Sequence, residues 1–332
     1  MNTRFTLFFS GLLLLVQYSY GQSLKGGAYA LLNAPYSAKS AAMGTVMPSN
    51  YFDDGAAFVS NPAAALPSFD QHLGIHYTSR FAGIQQGLVT YQFSMPKTGS
   101  WAVSAQYLHF GTMQGYDPSG NPEGTFTAGD YLIAITKQHQ VGNFSVGLSA
   151  KFINSKIESY AASAMLFDAG ILFIHPEHEF SAGLVLKNFG FNLRNFDTEP
   201  VNLPFDVQLG ATFKPDHMPV RFSVAASYLP HDAPYLGQNE QENTTLKDAF
   251  RYFNIGTEFL IHKNVHLMAG YNQDIRASLG LQDKKGLSGF AFGGRILVKK
   301  WTIDYTYAAY HAAGGAHFVS LSTNLSHFKF RN

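Results

Sequence analysis

Trp301-Thr302-Ile303-Asp304-Tyr305-Thr306-Tyr307-Ala308 sets Trp301, Ile303, Tyr305 and Tyr307 on one side of an extended chain, and Thr302, Asp304, Thr306 and Ala308 on the other. Successive side chains of a strand point to opposite faces, so this period of two predicts a β-strand with one apolar and one polar face. The pattern returns elsewhere. Phe205, Val207, Leu209, Ala211 and Phe213 oppose Asp206, Gln208, Gly210, Thr212 and Lys214. Phe144, Val146, Leu148, Ala150 and Phe152 oppose Ser145, Gly147, Ser149 and Lys151. Val220 to Tyr228, Phe253 to Ile261, Val265 to Tyr271 and Val319 to Leu325 read alike. Together they make about fourteen segments of roughly ten residues, the signature of an all-β chain forming a transmembrane antiparallel β-barrel.

The charges follow the same parity. Lys151, Asp168, Lys187, Asp206, Glu258, Arg295 and Asp304 all fall on the polar side of their segments, so a barrel directs them into its lumen. A charge facing mid-bilayer costs about 2–4 kcal/mol on a barrel's lipid face, which selects for this bias. A soluble sandwich also keeps charge off its buried face, and the connections separate the two. Tight turns (96–99, 138–142, 175–179, 214–219, 262–264 and 299–300) alternate with long loops (114–128, 192–204, 230–248 and 274–286). Short turns on one rim and long loops on the other are the asymmetry of an outer-membrane barrel with both chain ends in the periplasm. A sandwich has no reason to sort its loops.

Composition is in keeping with this. Only 14% of the 332 residues are charged and 15% are aromatic. Mean hydropathy is −0.06, as expected when half of each strand faces water. The net charge of +1 gives no electrostatic case for nucleic acid. Tyrosines near strand ends (Tyr77, Tyr107, Tyr228, Tyr252, Tyr271 and Tyr310) suit interfacial girdles.

Residues 1–21 read as an export signal: Arg4, the apolar run Phe5 to Val16, then small Ser19 and Gly21 before a cleavage site at Gln22. With zero Cys the mature chain carries no lipidated cysteine. From 22 to about 70 the alternation stops, and small residues and Ala-Pro, Asn-Pro and Asp-Asp-Gly turns take over. A short helix is expected around Ala38 to Met43. Leu31, Leu32, Met43, Val46, Phe52 and Phe58 would be poorly soluble in a free tail, so this segment is expected to plug the lumen of the barrel formed by 71–332.

Ser37-Ala38-Lys39-Ser40-Ala41-Ala42-Met43-Gly44, then Asp53-Asp54, Phe58 and Asn61-Pro62-Ala63, resembles the N-terminal hatch of the FadL-like superfamily of long-chain fatty-acid transporters. The resemblance implies a fourteen-stranded barrel plugged by this hatch. It singles out Gly44, Asp53, Asp54, Asn61, Pro62 and Ala63 as the hatch motif. Two further stretches narrow the likeness: Gly111 to Tyr131, with Gly120-Asn121-Pro122 and Gly124-Thr125-Phe126, and Tyr310 to Leu325. They are similar to the PorQ/PorV family of type IX secretion system outer-membrane proteins, and to its PorQ-like members across essentially the whole mature chain. The chain departs from the usual aromatic terminus of such barrels by ending Phe330-Arg331-Asn332.

The implied work is not enzymatic. PorQ-like proteins anchor a PorZ-like surface protein in the complex that attaches secreted cargo, alongside a PorU-like sortase and a PorV-like shuttle. The alternative is a FadL-like transporter of hydrophobic small molecules. Ser94-x-x-Lys97 and Lys97-Thr98-Gly99 match penicillin-binding signatures, but they share Lys97 within one Pro-containing turn and read as a turn. His175-Pro176-Glu177-His178-Glu179 offers two His at most with no third ligand, and reads as a hydrated periplasmic turn. Asp53-Asp54 reads as a solvated turn rather than a cation site, and His311 and His317 as interfacial or partner-contacting. The expectation is no cofactor, no metal and no catalytic residue.

Overall fold

The computed structural model describes residues 28–196, 201–227, 252–279, 286–311 and 314–328. Residues 1–21, read as an export signal, and the expected loop 230–248 lie outside the described residues.

The alternation at Trp301 resolves into two faces of one strand. Trp301, Ile303, Tyr305 and Tyr307 face outward, each about 40% exposed or more, whereas Asp304 and Thr306 are buried. Fourteen antiparallel strands among the described residues repeat this arrangement: β1 (His72–Ser79), β2 (Gln85–Met95), β3 (Gly99–Tyr116), β4 (Pro122–Val141) and β5 (Phe144–Ile157). There follow β6 (Tyr160–Ile174), β7 (Phe180–Arg194), β8 (Asp206–Phe213), β9 (Val220–Ala226) and β10 (Phe253–His262). β11 (Val265–Asn272), β12 (Phe290–Val298), β13 (Trp301–His311) and β14 (Gly314–Asn324) complete the set. Each strand pairs with its sequence neighbours, and β1 closes on β14 from His72↔Asn324 to Ser79↔His317. A closed ladder has no edge, which is what hydrocarbon requires of a backbone that water cannot reach.

Both ends of the barrel sequence lie on the rim of tight turns, which in an outer membrane faces the periplasm. On the opposite rim the structure corrects two expected loops. Residues 114–128 are mostly strand: β3 and β4 continue as a two-stranded ribbon through Thr112↔Thr127, Met113↔Phe126 and Gln114↔Thr125. β2 pairs with β3 only as far as His109, and β5 pairs with β4 only from Ala128, so this ribbon stands above its neighbours. Asp117 builds the turn, its carboxylate accepting the Ser119 and Asn121 N–H groups. The glycines of this stretch serve a bulge at Gly111 and the turn at Gly120. The predicted loop 274–286 begins as a helix, α2 (Gln273–Leu279), following α1 (Ala38–Ala42) near the N-terminus.

A bulge in β7 also escaped the alternation. The register slips between Phe167 and Ala169, with Asn188 at φ 59°. The outward face passes from Leu184 to Phe189, Phe191 and Leu193, an apolar parity switch visible in the sequence once it is sought.

Candidate functional site in the barrel lumen

Residues 28–66 fill the lumen before the chain enters β1. α1 begins at Ser37, whose hydroxyl caps Ser40 N–H, and it is hung from the wall: Ala38 N–H donates to Ser320 Oγ at 3.0 Å and Thr306 Oγ1 donates to the Ala38 carbonyl at 2.8 Å. Asn50 Nδ2 donates to Ser223 Oγ, and Ser181 Oγ to the Ser49 carbonyl. Ser145 Oγ reaches the Ala63 carbonyl. The luminal serines and threonines therefore act as hooks for a backbone that forms no sheet of its own.

Glycines set how closely that backbone approaches. A Cβ at Gly147 would lie 2.3 Å from the Pro62 carbonyl carbon, one at Gly183 2.3 Å from the Pro48 oxygen, and one at Gly270 2.3 Å from the Ala42 oxygen. These wall positions carry no side chain because the hatch main chain occupies the space. Gly44 is required twice over: its φ is +87°, and a Cβ there would press on the Tyr271 carbonyl at 2.9 Å. Asn61 ties the Asn-Pro-Ala turn. Its Oδ1 accepts Ala63 N–H while its Nδ2 donates to the Pro48 and Ile171 carbonyls, joining two hatch turns to β6. Pro62 occupies the first position of that turn, where no N–H is needed.

A charged latch lies on the periplasmic half. Arg295 grips Asp304 in a two-point fork, Nε–Oδ1 2.6 Å and Nη2–Oδ2 2.8 Å, and its third nitrogen donates to the Asp53 carbonyl of the hatch. Glu258, fully buried, takes Arg221 at 2.6 Å and His266 Nδ1 at 3.1 Å, with Lys39 of the hatch at 3.6 Å. Lys39 also donates to the Phe52 carbonyl, and the Arg221 guanidinium lies 4.3 Å from the centre of the Phe52 ring. Three buried cations (Lys39, Arg221, Arg295) thus pair with two buried anions, Glu258 and Asp304, and the buried Asp54 lies on the same hatch turn. Asp54 is not solvated as expected: it is buried, with Oδ1 accepting Ala56 N–H at 2.9 Å and Oδ2 facing the Tyr36 hydroxyl at 3.4 Å. Asp53 is half out, at φ 52°, offering its carbonyl rather than its carboxylate to Arg295.

The remaining predicted luminal charges divide. Lys151 pairs with Asp168 at 2.6 Å, and Asp168 also accepts Asn188 N–H at the β7 bulge. Asp206 is buried at the far rim beside Gln208, and Lys187 is half-buried opposite it in the register. Neither joins the latch.

The latch reaches the periplasm through Glu179, in the turn before β7. Its carboxylate accepts Arg221 at 2.8 Å and Lys214 at 3.0 Å. Burial pushes the Glu179 carboxyl up, but the hydrogen bonds from Arg221 and Lys214 outweigh it and hold it below the usual carboxylate range. A depressed carboxyl stabilises the fold above its ordinary pKa of 4.5 and loses that contribution as pH falls through the folded value. Wild type should therefore unfold at higher urea than Glu179→Gln at pH 6, with the difference closing below about pH 4. A difference independent of pH would contradict the pairing.

Part of the lumen is apolar, which parity alone did not reveal. Leu108, Leu132, Ile153 and Leu166, from β3 to β6, enclose Tyr29 and Leu31 of the hatch, with Phe196, Val201 and Leu203 packed alongside. Asp130 sits at its edge and accepts Leu31 N–H at 3.0 Å. Tyr310, expected in a girdle, points inward instead and is buried beneath Arg80. Ser94 is at the end of β2, its N–H donating to Asp70, with Lys97 in the turn beyond. His175 Nδ1 accepts the Glu177 and His178 N–H groups of its own turn. His317 faces outward against the Tyr305 hydroxyl at 2.8 Å.

On the extracellular rim, the turn Phe81–Gly83 links two distant stretches. A Cβ at Gly111 would stand 3.2 Å from the Ala82 carbonyl, and one at Gly314 would stand 3.6 Å from Phe81. The ribbon of β3 and β4 and the last hairpin thus meet along one arc.

No protein-family model matches the sequence, and no curated protein matches it. The structure is similar to solved outer-membrane barrels. Against the toluene transporter TbuX of Ralstonia pickettii the TM-score is 0.51 at 10% identity, covering 88% of this chain and 99% of that one. Against a deltaS2 mutant of the monoaromatic hydrocarbon channel TodX it is 0.51 at 13% identity, covering 88% and 99%. A Pseudomonas aeruginosa FadL homologue gives 0.50 at 9% identity, covering 88% and 100%. The likeness is one of fold: a closed β-barrel of the kind these proteins form. TbuX is a toluene transporter and TodX a monoaromatic hydrocarbon channel.

Proposed function

We propose that this chain is a non-enzymatic outer-membrane scaffold of the type IX secretion system, holding a PorZ-like surface protein on its extracellular rim beside a PorU-like sortase and a PorV-like shuttle. The observation that carries the reading is the arc joined at Phe81–Gly83. The two stretches with the finer family likeness, Gly111 to Tyr131 and Tyr310 to Leu325, are far apart in sequence yet both reach the exposed turn Phe81–Gly83. A barrel whose lumen is hooked, cradled and latched shut makes a rigid mount, and a rigid mount keeps the entropic cost of association low.

Affinity purification from gently solubilised outer membrane should recover a large surface protein with the full chain. Replacing residues 112–126 by a two-residue turn should abolish its recovery while leaving the heat-modifiable barrel band intact. Equal recovery with both chains, or none with either, would contradict the reading.

The apolar cluster around Tyr29 and Leu31 favours one second reading, a FadL-like transporter of hydrophobic small molecules in which a ligand displaces these two side chains. Deletion of the gene separates the readings: the scaffold predicts loss of surface-attached cargo, the transporter loss of growth on fatty acids.

A further inference from the structure

The outer wall over β1 to β5 is not a uniform greasy surface. A depression of about 590 Å³ opens there toward lipid, lined by Tyr77, Gly87, Ala105, Tyr107, Tyr131 and Phe152. The strand register explains it as three rows. The lowest runs Ile75–Val89–Ala105–Ile133–Phe152, apolar throughout, with only a methyl group at its centre. The middle runs Tyr77–Gly87–Tyr107–Tyr131–Asn154. Here Tyr107 leans across onto Gly87, where a Cβ would lie 2.2 Å from its ring, and this lean leaves the space above Ala105 unfilled. The top row runs Ser79–Gln85–His109–Gly129–Lys156, and it is polar.

The order of these rows matches the depth profile of one leaflet. β5 ends one residue beyond Lys156, so the top row lies at the extracellular rim of the regular barrel, above a tyrosine girdle. Lys156 is exposed and forms no ion pair among the described residues. His109 Nδ1 accepts Gly111 N–H at 3.0 Å, which places the neutral ring's proton on Nε2 as a donor. Asn154 is a half-buried amide on an outward position, where hydrocarbon alone offers it no partner.

We infer that this face binds one molecule of the phosphorylated, acylated glucosamine lipid of the outer leaflet. An acyl chain fills the depression over Ala105. The Lys156 ammonium takes a phosphate, and Asn154, His109 and Gln85 serve the sugar's hydroxyl and amide groups. A site for bulk hydrocarbon would need the depression but not the cation and donors above it. The charge is complementary to a phosphate, and no other row of the described wall is needed. The inference holds whether the barrel serves as a mount or as a transporter.

Native mass spectrometry of the full chain in detergent tests this with three probes: bis-phosphorylated lipid A, the same lipid A dephosphorylated, and phosphatidylethanolamine. One bis-phosphorylated lipid A should be retained per barrel. Ala105→Phe fills the depression and should abolish retention. Lys156→Gln should weaken it about fivefold, the loss of one charged hydrogen bond at an exposed site. Dephosphorylated lipid A should bind wild type no better than bis-phosphorylated lipid A binds Lys156→Gln. Leu209→Phe, on the outward face of β8, serves as the control and should change nothing, and heat-modifiable migration reports folding in every variant. Retention insensitive to both Ala105→Phe and Lys156→Gln would overturn the site. So would phosphatidylethanolamine held as well as lipid A.

Discussion

Arg295→Met should cost the barrel about 3–5 kcal/mol, the usual penalty for removing one partner of a buried charge pair. Among the described residues Arg295 is the largest fully buried side chain, and its fork is the one ion pair made by the Asp304 carboxylate. Methionine fills a similar volume but leaves that charge stranded. It also releases the Asp53 carbonyl, so the hatch loosens where α1 and the Asp-Asp turn share the latch. Urea unfolding in lipid vesicles measures the loss. Arg295→Lys keeps the charge but not the planar fork, so it should fall between wild type and the methionine variant. Arg295→Met combined with Asp304→Leu should recover most of the stability, because removing both charges removes the stranded one. A methionine variant within about 0.5 kcal/mol of wild type would show that water reaches Asp304 and that the latch carries little.

The second large effect is expected from adding atoms rather than removing them. Gly147→Val and Gly270→Val put a branched side chain where the hatch main chain runs, against Pro62 and Ala42 respectively. The obstructing atoms are backbone, which cannot swing aside as a side chain tip can. The strand itself tolerates valine well, so the strain falls on the hatch. Residues 28–66 should become accessible to protease, and a conductance should appear in planar bilayers where wild type is closed. Gly294→Val is the matched control, since a Cβ there makes only ordinary contacts, with Leu267 at 3.8 Å and the His266 carbonyl at 3.9 Å. Protection and closure unchanged in Gly147→Val would mean that the hatch does not rest on this wall.

Much of this is legible in the sequence. The alternation at Trp301 and the sorting of tight turns from long loops settle the barrel, because a lipid wall imposes period two over its whole height. The parity of Glu258, Arg295 and Asp304 places the latch charges inside. Pattern alone could not pair them, since Arg295 and Asp304 are register partners but Lys39 comes from another element.

Other features left weaker traces. Glycine has no polarity, so Gly147, Gly183 and Gly270 read as neutral members of a polar face rather than as the cradle of the hatch. The β3–β4 ribbon reads as a loop in the sequence because Gly111, Gly115, Gly120 and Gly124 interrupt Thr112, Gln114, Thr125 and Thr127, which carry the pairing. Tyr310 followed the girdle pattern by position alone, yet a parity count from Trp301 places it with Asp304, facing inward. The apolar chamber at Leu132 and Ile153 was hidden for a related reason: those residues are apolar on both faces of their strands, so alternation fades there.

The central claim is that the N-terminal segment occupies the lumen and closes it. Because the chain has zero Cys, a designed pair of thiols tests this without background. Ser49 Oγ and Thr212 Oγ1 lie 2.9 Å apart, one on the hatch and one on the wall of β8. Ser49→Cys with Thr212→Cys, oxidised in intact outer membranes and read by the shifted migration of the unfolded chain, should form an intramolecular disulfide in nearly every molecule. Two thiols that stay free, or that link chains to one another, would place the segment outside the barrel and remove the basis for a sealed mount.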